Sequence, residues 1–196
     1  MAVALPVHRR VAIVGHSHVG RLPLEGYVED RDYRLRRPLF YRRFFQGGAT
    51  AEGLFNNNGF CNAVWEFRPE LIVLFIGSND IDTERDGPGI CYDFRDTIFR
   101  LGTKLQAFRT ENKPGVIYVY LETRFVTRCI SPELYNSRKN RVNRLIKNQK
   151  EIYICTSMQD YQHLERDGVH FSETGYQLLA NKIQYATERY GIERRW

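Results

Sequence analysis

Apolar residues in this chain gather into short continuous runs, separated by stretches where they recur every three or four positions. Val11 to Gly15, Leu71 to Gly77, Val116 to Leu121 and Ile152 to Cys155 are such runs, rich in β-branched side chains. A further extended region, in which aromatics mix with arginines, lies within Leu39 to Gln46. Continuous runs, unlike alternating ones, suit strands covered on both faces. Between them, Ile98, Leu101, Leu105 and Phe108 line one helical face. Ser131-Pro132-Glu133 carries the signs of a helix start: a capping hydroxyl, a proline in the first turn and an early acid. That helix is expected to turn Leu134, Val142, Leu145 and Ile146 inward. Ser172 is expected to cap a last helix whose face is Tyr176, Leu179, Ala180, Ile183 and Ala186. Asn56 to Gly59 breaks the segment after Gly48, so a helix there begins late or kinks.

Strands alternating with helices predict an α/β fold, a mostly parallel sheet with helices on both faces. No internal repeat, low-complexity tract or linker interrupts the pattern, so residues 1–196 read as a single domain. The 196 residues suffice for that fold and are short for a barrel of eight strand–helix units. Mean hydropathy is low at −0.49. Yet 12 Tyr, 12 Phe and 2 Trp supply a core, which excludes a disordered chain. No window reaches the roughly 18 uninterrupted apolar residues that a membrane span needs, so none is expected. The opening MAVALPVHRR has too short an apolar part, with its charges after it, for a secretory signal. The four cysteines at 61, 91, 129 and 155 form no CxxC pair, which favours free thiols and an intracellular, cytoplasmic location. The net charge of +6 permits an acidic partner without demanding one.

In open α/β sheets, ligands bind beyond the carboxyl ends of the strands. The first strand here runs into Gly15-His16-Ser17-His18, the second into Gly47-Gly48-Ala49-Thr50 and the third into Gly77-Ser78-Asn79-Asp80. The fifth is followed by Asp167-Gly168-Val169-His170. Each cluster alone has an ordinary reading, as a helix cap, a turn or a surface histidine. Four at one sheet edge are the main signal in the sequence. Ser17, at a strand-to-helix turn, is a candidate nucleophile, but a serine needs a base to take its proton. His170 is the candidate base, and Asp167, three residues before it, the carboxylate that fixes its tautomer. An oxyanion needs donors, which the backbone N–H groups of Ser17 and Gly48 and the side-chain amide of Asn79 offer.

At these residues the chain resembles the SGNH hydrolase superfamily, also called GDSL esterases and lipases, over nearly its whole length from Val11 to about Tyr190. The family's Gly-Asp-Ser block corresponds to Gly15-His16-Ser17. Its second-block glycine falls on Gly48, with Gly47 the alternative. Its Gly-x-Asn-Asp block is intact at Gly77 to Asp80, and its Asp-x-x-His block at Asp167 to His170. The resemblance implies a three-layer flavodoxin-like fold with about five parallel strands. It also implies ester hydrolysis through an acyl-serine, with neither metal nor cofactor. Ser17 would be nucleophile, His170 base and then acid, and Asp167 the orienting group, with Ser17, Gly48 and Asn79 forming the oxyanion hole. More narrowly, GHSH, GGAT, GSND and DGVHFSETGY resemble esterase-type domains of animal genomes, some carried within retrotransposons. One departure stands out. The family usually has Asp where this chain has His16, and that acid braces the second block. The substitution therefore predicts an altered local field or oxyanion geometry.

Two other readings compete. His16-x-His18 after a first strand resembles a metal pair, but only His8, His163 and His170 remain as further histidines. Arg31, Arg34, Arg36, Arg37, Arg42 and Arg43, interleaved with Tyr33, Phe40 and Tyr41, suggest nucleic-acid binding by a catalytically weak relative. Arg138, Lys139, Arg141, Arg144, Lys147 and Lys150 form a second basic run on an expected helix. The intact Ser17, Asp167 and His170 favour a small-molecule or glycan ester as substrate.

Overall fold

The structure, a computed structural model of the chain, describes residues 8–28, 38–149, 153–155 and 163–194. Its sheet is built from β1 (Arg9–Gly15), β2 (Gly26–Val28), β3 (Leu39–Phe45), β4 (Leu71–Phe75), β5 (Gly115–Val119) and β6 (Tyr153–Cys155). The helices are α1 (Ser17–Gly20), α2 (Ala51–Asn56), α3 (Asn58–Phe67), α4 (Ser78–Ile81), α5 (Ile90–Gln106), α6 (Pro132–Lys147) and α7 (Glu173–Glu193). The strand order is β2-β3-β1-β4-β5-β6. Every pairing is parallel except that of β2 with β3. The five parallel strands thus follow the flavodoxin-like order, with the chain reversing direction across the sheet at β1.

Two apolar layers explain the continuous runs. Ala12, Val14, Ile72 and Leu74 face one core with α2, α3, α5 and α6. Val11, Ile13, Val73 and Phe75 face the other with α7 and α1. All five β4 side chains are buried, so alternate residues serve opposite cores and no position is left polar.

The expected caps are present. Ser131 accepts a hydrogen bond from the Leu134 N–H at the start of α6, and Ser172 from the Gly175 N–H at the start of α7. The break at Asn56 to Gly59 divides one helix into α2 and α3, with Asn57 accepting from the Phe60 N–H as the new cap. Several expectations need correction. β2 was not foreseen, because three residues with one buried-facing side chain at most carry no readable period. Leu134 is exposed and Tyr135 occupies the buried position instead. Phe108 lies past the end of α5, half-buried. Ile152, Arg31, Arg34, Arg36 and Arg37 lie outside the described residues, as do Tyr33 and Lys150.

Candidate active site

The first cluster hangs on a close approach. A Cβ on Gly15 would stand 2.0 Å from the Phe75 carbonyl oxygen, so only glycine lets β1 end this tightly against β4. His16 is extended and α1 opens at Ser17, half-buried between the fully buried His16 and His18. The last cluster is a tight loop before α7. It is closed by the Glu165 N–H donating to the His170 carbonyl at 2.7 Å and by Gly168 at φ +68°. The Phe125 N–H donates to the Gly168 carbonyl at 2.8 Å, pinning this loop to the segment after β5.

The fold brings these two loops into contact. His170 Nδ1 lies 2.6 Å from Asp167 Oδ2, and His170 Nε2 lies 3.2 Å from Ser17 Oγ. Asp167 Oδ1 accepts from the Val169 and His170 N–H groups, each at 2.9 Å. Slight burial works against its charge, but these N–H donors and the imidazole outweigh it and bring the carboxyl down to about 2. An ionised Asp167 accepts a hydrogen bond from the Nδ1–H, which keeps the proton on that nitrogen and leaves Nε2 as the acceptor facing the Ser17 hydroxyl.

The middle clusters close the same edge. The Gln46 N–H donates to the Gly15 carbonyl at 3.2 Å, tying the end of β3 to the end of β1. Gly48 has φ +71° with open space where a Cβ would sit, and is exposed. Asn79 Nδ2 donates to the Ala49 carbonyl at 2.9 Å, so the amide stands beside the backbone that carries Gly48. Asp80 accepts from the Ala51 N–H through both carboxylate oxygens, at 3.0 and 2.9 Å. Here the second cluster is therefore braced by the third, through Asp80, and not by the residue before the serine.

Beneath the loops lies a layer that the sequence reading missed. Glu122, fully buried, sits 3.4 Å from His18 Nε2 and accepts from Ser78 Oγ and from Arg124 Nε, the last at 2.9 Å. Tyr176 Oη and His18 Nδ1 are 2.9 Å apart. Burial lowers the pKa of His18 and brings that of His16 down to about 3. Despite the burial penalty, Arg124 and His18 hold Glu122 well below the usual carboxylate range. Both ring nitrogens of His16 are buried with no hydrogen-bond partner among the described residues. The signal was present: Glu122-Thr123-Arg124 follows the fourth apolar run at the same strand edge as the other clusters.

Residues 15–183 match the model of the GDSL-like lipase/acylhydrolase family. The chain belongs to that family. The match runs from the first block through the last, and the name places the chain among hydrolases that act on esters. None of the curated proteins compared matches the GDSL-like chain in sequence. Solved structures do match in shape. A carbohydrate esterase family 3 protein from Talaromyces cellulolyticus is 15% identical at a TM-score of 0.65, covering 93% of this chain and 97% of its own. A GDSL-like lipase from Bacteroides thetaiotaomicron is 19% identical at 0.60, covering 96% and 93%. An acetyl xylan esterase is 18% identical at 0.61, covering 90% and 98%. At these identities the likeness shows the fold.

Part of each competing residue set is engaged within the fold, while Arg141, Arg144 and Lys147 stay exposed. His18 Nδ1 meets Tyr176 Oη, and its Nε2 stands 3.4 Å from the Glu122 carboxylate. Among the described residues, ligand-type atoms cluster at Glu165, Asp167 and His170, without His16 or His18. Arg43 is spent on Glu25 and on the carbonyls of Gly20 and Leu22. Arg138 is buried on the carbonyls of Ile81, Thr83 and Arg85, and Lys139 is buried on Thr123. Arg42 stays exposed, over the rings of Phe44 and Phe67. No described helix is long and apolar enough to cross a membrane.

Proposed function

We propose that the protein is a serine esterase acting on short-chain, especially acetyl, carboxylic esters through an acyl-Ser17 intermediate. The observation that carries this reading is the unbroken relay of 3.2 and 2.6 Å from Ser17 through His170 to Asp167. In the proposed reaction Ser17 Oγ attacks the ester carbonyl while His170 Nε2 takes its proton. The imidazolium then gives that proton to the leaving alkoxide. Water, deprotonated by the same nitrogen, releases the acid. Asp167, ionised throughout, orients the ring and stabilises its cation. The backbone N–H groups of Ser17 and Gly48 and the Asn79 amide would bind the developing oxyanion.

The surroundings support a small acyl group on a polar alcohol. Phe125 and Val126, half-exposed beside Gly168, give the catalytic loop a narrow apolar rim. A cleft of about 400 Å³ on the Asn79 side is lined by Thr50, Glu52, Asp82, Thr83 and Arg85, groups suited to a sugar hydroxyl. One structural neighbour is an acetyl xylan esterase. A narrower kinship with retrotransposon-borne esterase domains would rest on the GHSH, GGAT, GSND and DGVHFSETGY segments, and a reverse-transcriptase frame adjoining the gene would test it. The free thiols of Cys61, Cys91 and Cys129 support a reducing compartment.

The test is a series of p-nitrophenyl esters of increasing chain length, run on the parent and on Ser17→Ala. The acetate should turn over fastest, and Ser17→Ala should lose at least about a thousandfold in kcat with its circular dichroism unchanged. A Ser17→Ala variant as fast as the parent defeats the mechanism, and a preference for long chains defeats the acyl assignment.

A further inference from the structure

We infer that Arg124 is the positioning residue for the oxyanion-binding amide of Asn79. The inference rests on the esterase reading above and adds a part to that site. An asparagine amide can sit in either of two orientations, and only one presents N–H to a developing oxyanion. Here Arg124 Nη1 donates to Asn79 Oδ1 at 3.3 Å, and Asn79 Nδ2 donates to the Ala49 carbonyl at 2.9 Å. Turning the amide over would set its NH₂ against a guanidinium and its oxygen against a carbonyl, so both contacts would become repulsive. The observed orientation leaves the second Nδ2 proton for a substrate oxygen.

Arg124 can impose this because it is itself fixed. Its Nε and Nη2 each lie 2.9 Å from Glu122 Oε1, its guanidinium stands over the Tyr135 ring at 5.3 Å, and it is 4% exposed. Its backbone is clamped by Asn136, which accepts from the Arg124 N–H and donates to its carbonyl. The other oxygen of Glu122 takes Ser78 Oγ, one residue before Asn79. One carboxylate therefore ties down both the guanidinium and the chain segment it acts on. The planar fork is essential, since two nitrogens serve the carboxylate while the third serves the amide. A cation on Oδ1 also draws density from the amide and strengthens its N–H as donor when charge develops.

The discriminating variant is Arg124→Lys, which keeps a charge for Glu122 but has no fixed fork. It should lower kcat about ten- to a hundredfold with KM within about twofold, because the amide works in the transition state and not in the ground state. In an Asn79→Ala background the same change should cost under about threefold. The Asn79 side-chain NH₂ signals in the ¹⁵N–¹H spectrum of the free protein should shift and broaden in Arg124→Lys alone. If Arg124→Lys does not fold, the paired Glu122→Gln/Arg124→Met variant removes both charges together and should show the same kcat loss and the same lack of effect beside Asn79→Ala. An unchanged kcat, an equal loss with and without Asn79, or unmoved amide signals overturn the positioning role. A parent that cleaves no ester fails the esterase reading instead, while the amide signals still decide the role of Arg124.

Discussion

Two carboxylates sit within the candidate active site, each paired with a nitrogen-bearing side chain, and they differ in what they hold. Asp167 is 44% exposed and holds His170 on a loop, whereas Glu122 is 0% exposed and holds Arg124 and His18 beneath it. The geometry of the pairs is similar; the surroundings differ. Water screens the first pair, so breaking it costs the fold little, and its value lies in the tautomer it enforces. The second pair is dry, so neither partner can be removed without stranding the other's charge. What a carboxylate does is decided by what lies behind it. In the proposed mechanism the chemistry stands in partly wet loops, and the orientation inferred for the Asn79 amide comes from a dry ionic layer beneath them.

The largest effect expected from breaking this comparison is on rate. Asp167→Asn should lower kcat by about 10³- to 10⁴-fold, because an amide in place of the carboxylate no longer demands the Nδ1-protonated tautomer. Its melting temperature should stay within a few degrees of the parent's. Asp167 stays ionised down to about pH 2, so mild acid should not remove the charge that orients the imidazole. A variant that loses its fold and its rate together would erase the contrast between the two pairs.

Glu122→Ala is the mirror experiment. It strands the Arg124 charge in a dry site and should cost about 3–5 kcal/mol of stability. For a chain of this size that corresponds to a fall of roughly 10 °C in melting temperature. Urea unfolding of the two variants side by side measures the contrast. A Glu122→Ala variant within about 1 kcal/mol of the parent would mean that water reaches the layer.

The sequence made the wet half of this site legible and left the dry half dark, for a physical reason. Ser17, Gly48, Asn79, Asp167 and His170 are found by one rule, polar clusters after apolar strands, and the sheet order does bring their loops together. The apolar runs reveal the parallel strands because both faces of the sheet are covered, while β2, an antiparallel edge of three residues, has no such constraint. Glu122 and Arg124 also follow an apolar run, but they escaped because a charged pair in sequence ordinarily reads as surface. Only coordinates show that Ser78, His18 and Asn79, from two other strand ends, converge on it. Arg138 and Lys139 illustrate the same limit in reverse: read as part of a basic face, they are buried and bonded to the neighbouring loops.

Asp80 lies between the two extremes and gives the smallest and sharpest test. Its carboxylate braces the second cluster at the Ala51 N–H, and burial raises it from 3.8 to about 6 against the pull of its backbone donors. The folded protein therefore holds this proton more tightly than the unfolded chain does. The stability that Asp80 contributes is fully present below about pH 4 and is lost as pH rises through about 6. Asp80→Asn keeps an oxygen for Ala51 but has no proton to lose. From pH 4 to pH 7 the stability gap between variant and parent should move in favour of the variant, by on the order of 2–3 kcal/mol. Groups common to both proteins cancel in that difference, so paired urea titrations at the two pH values isolate Asp80. A gap that does not change with pH would place Asp80 with Asp167 among the solvated carboxylates and move the boundary between the two regions inward by one residue.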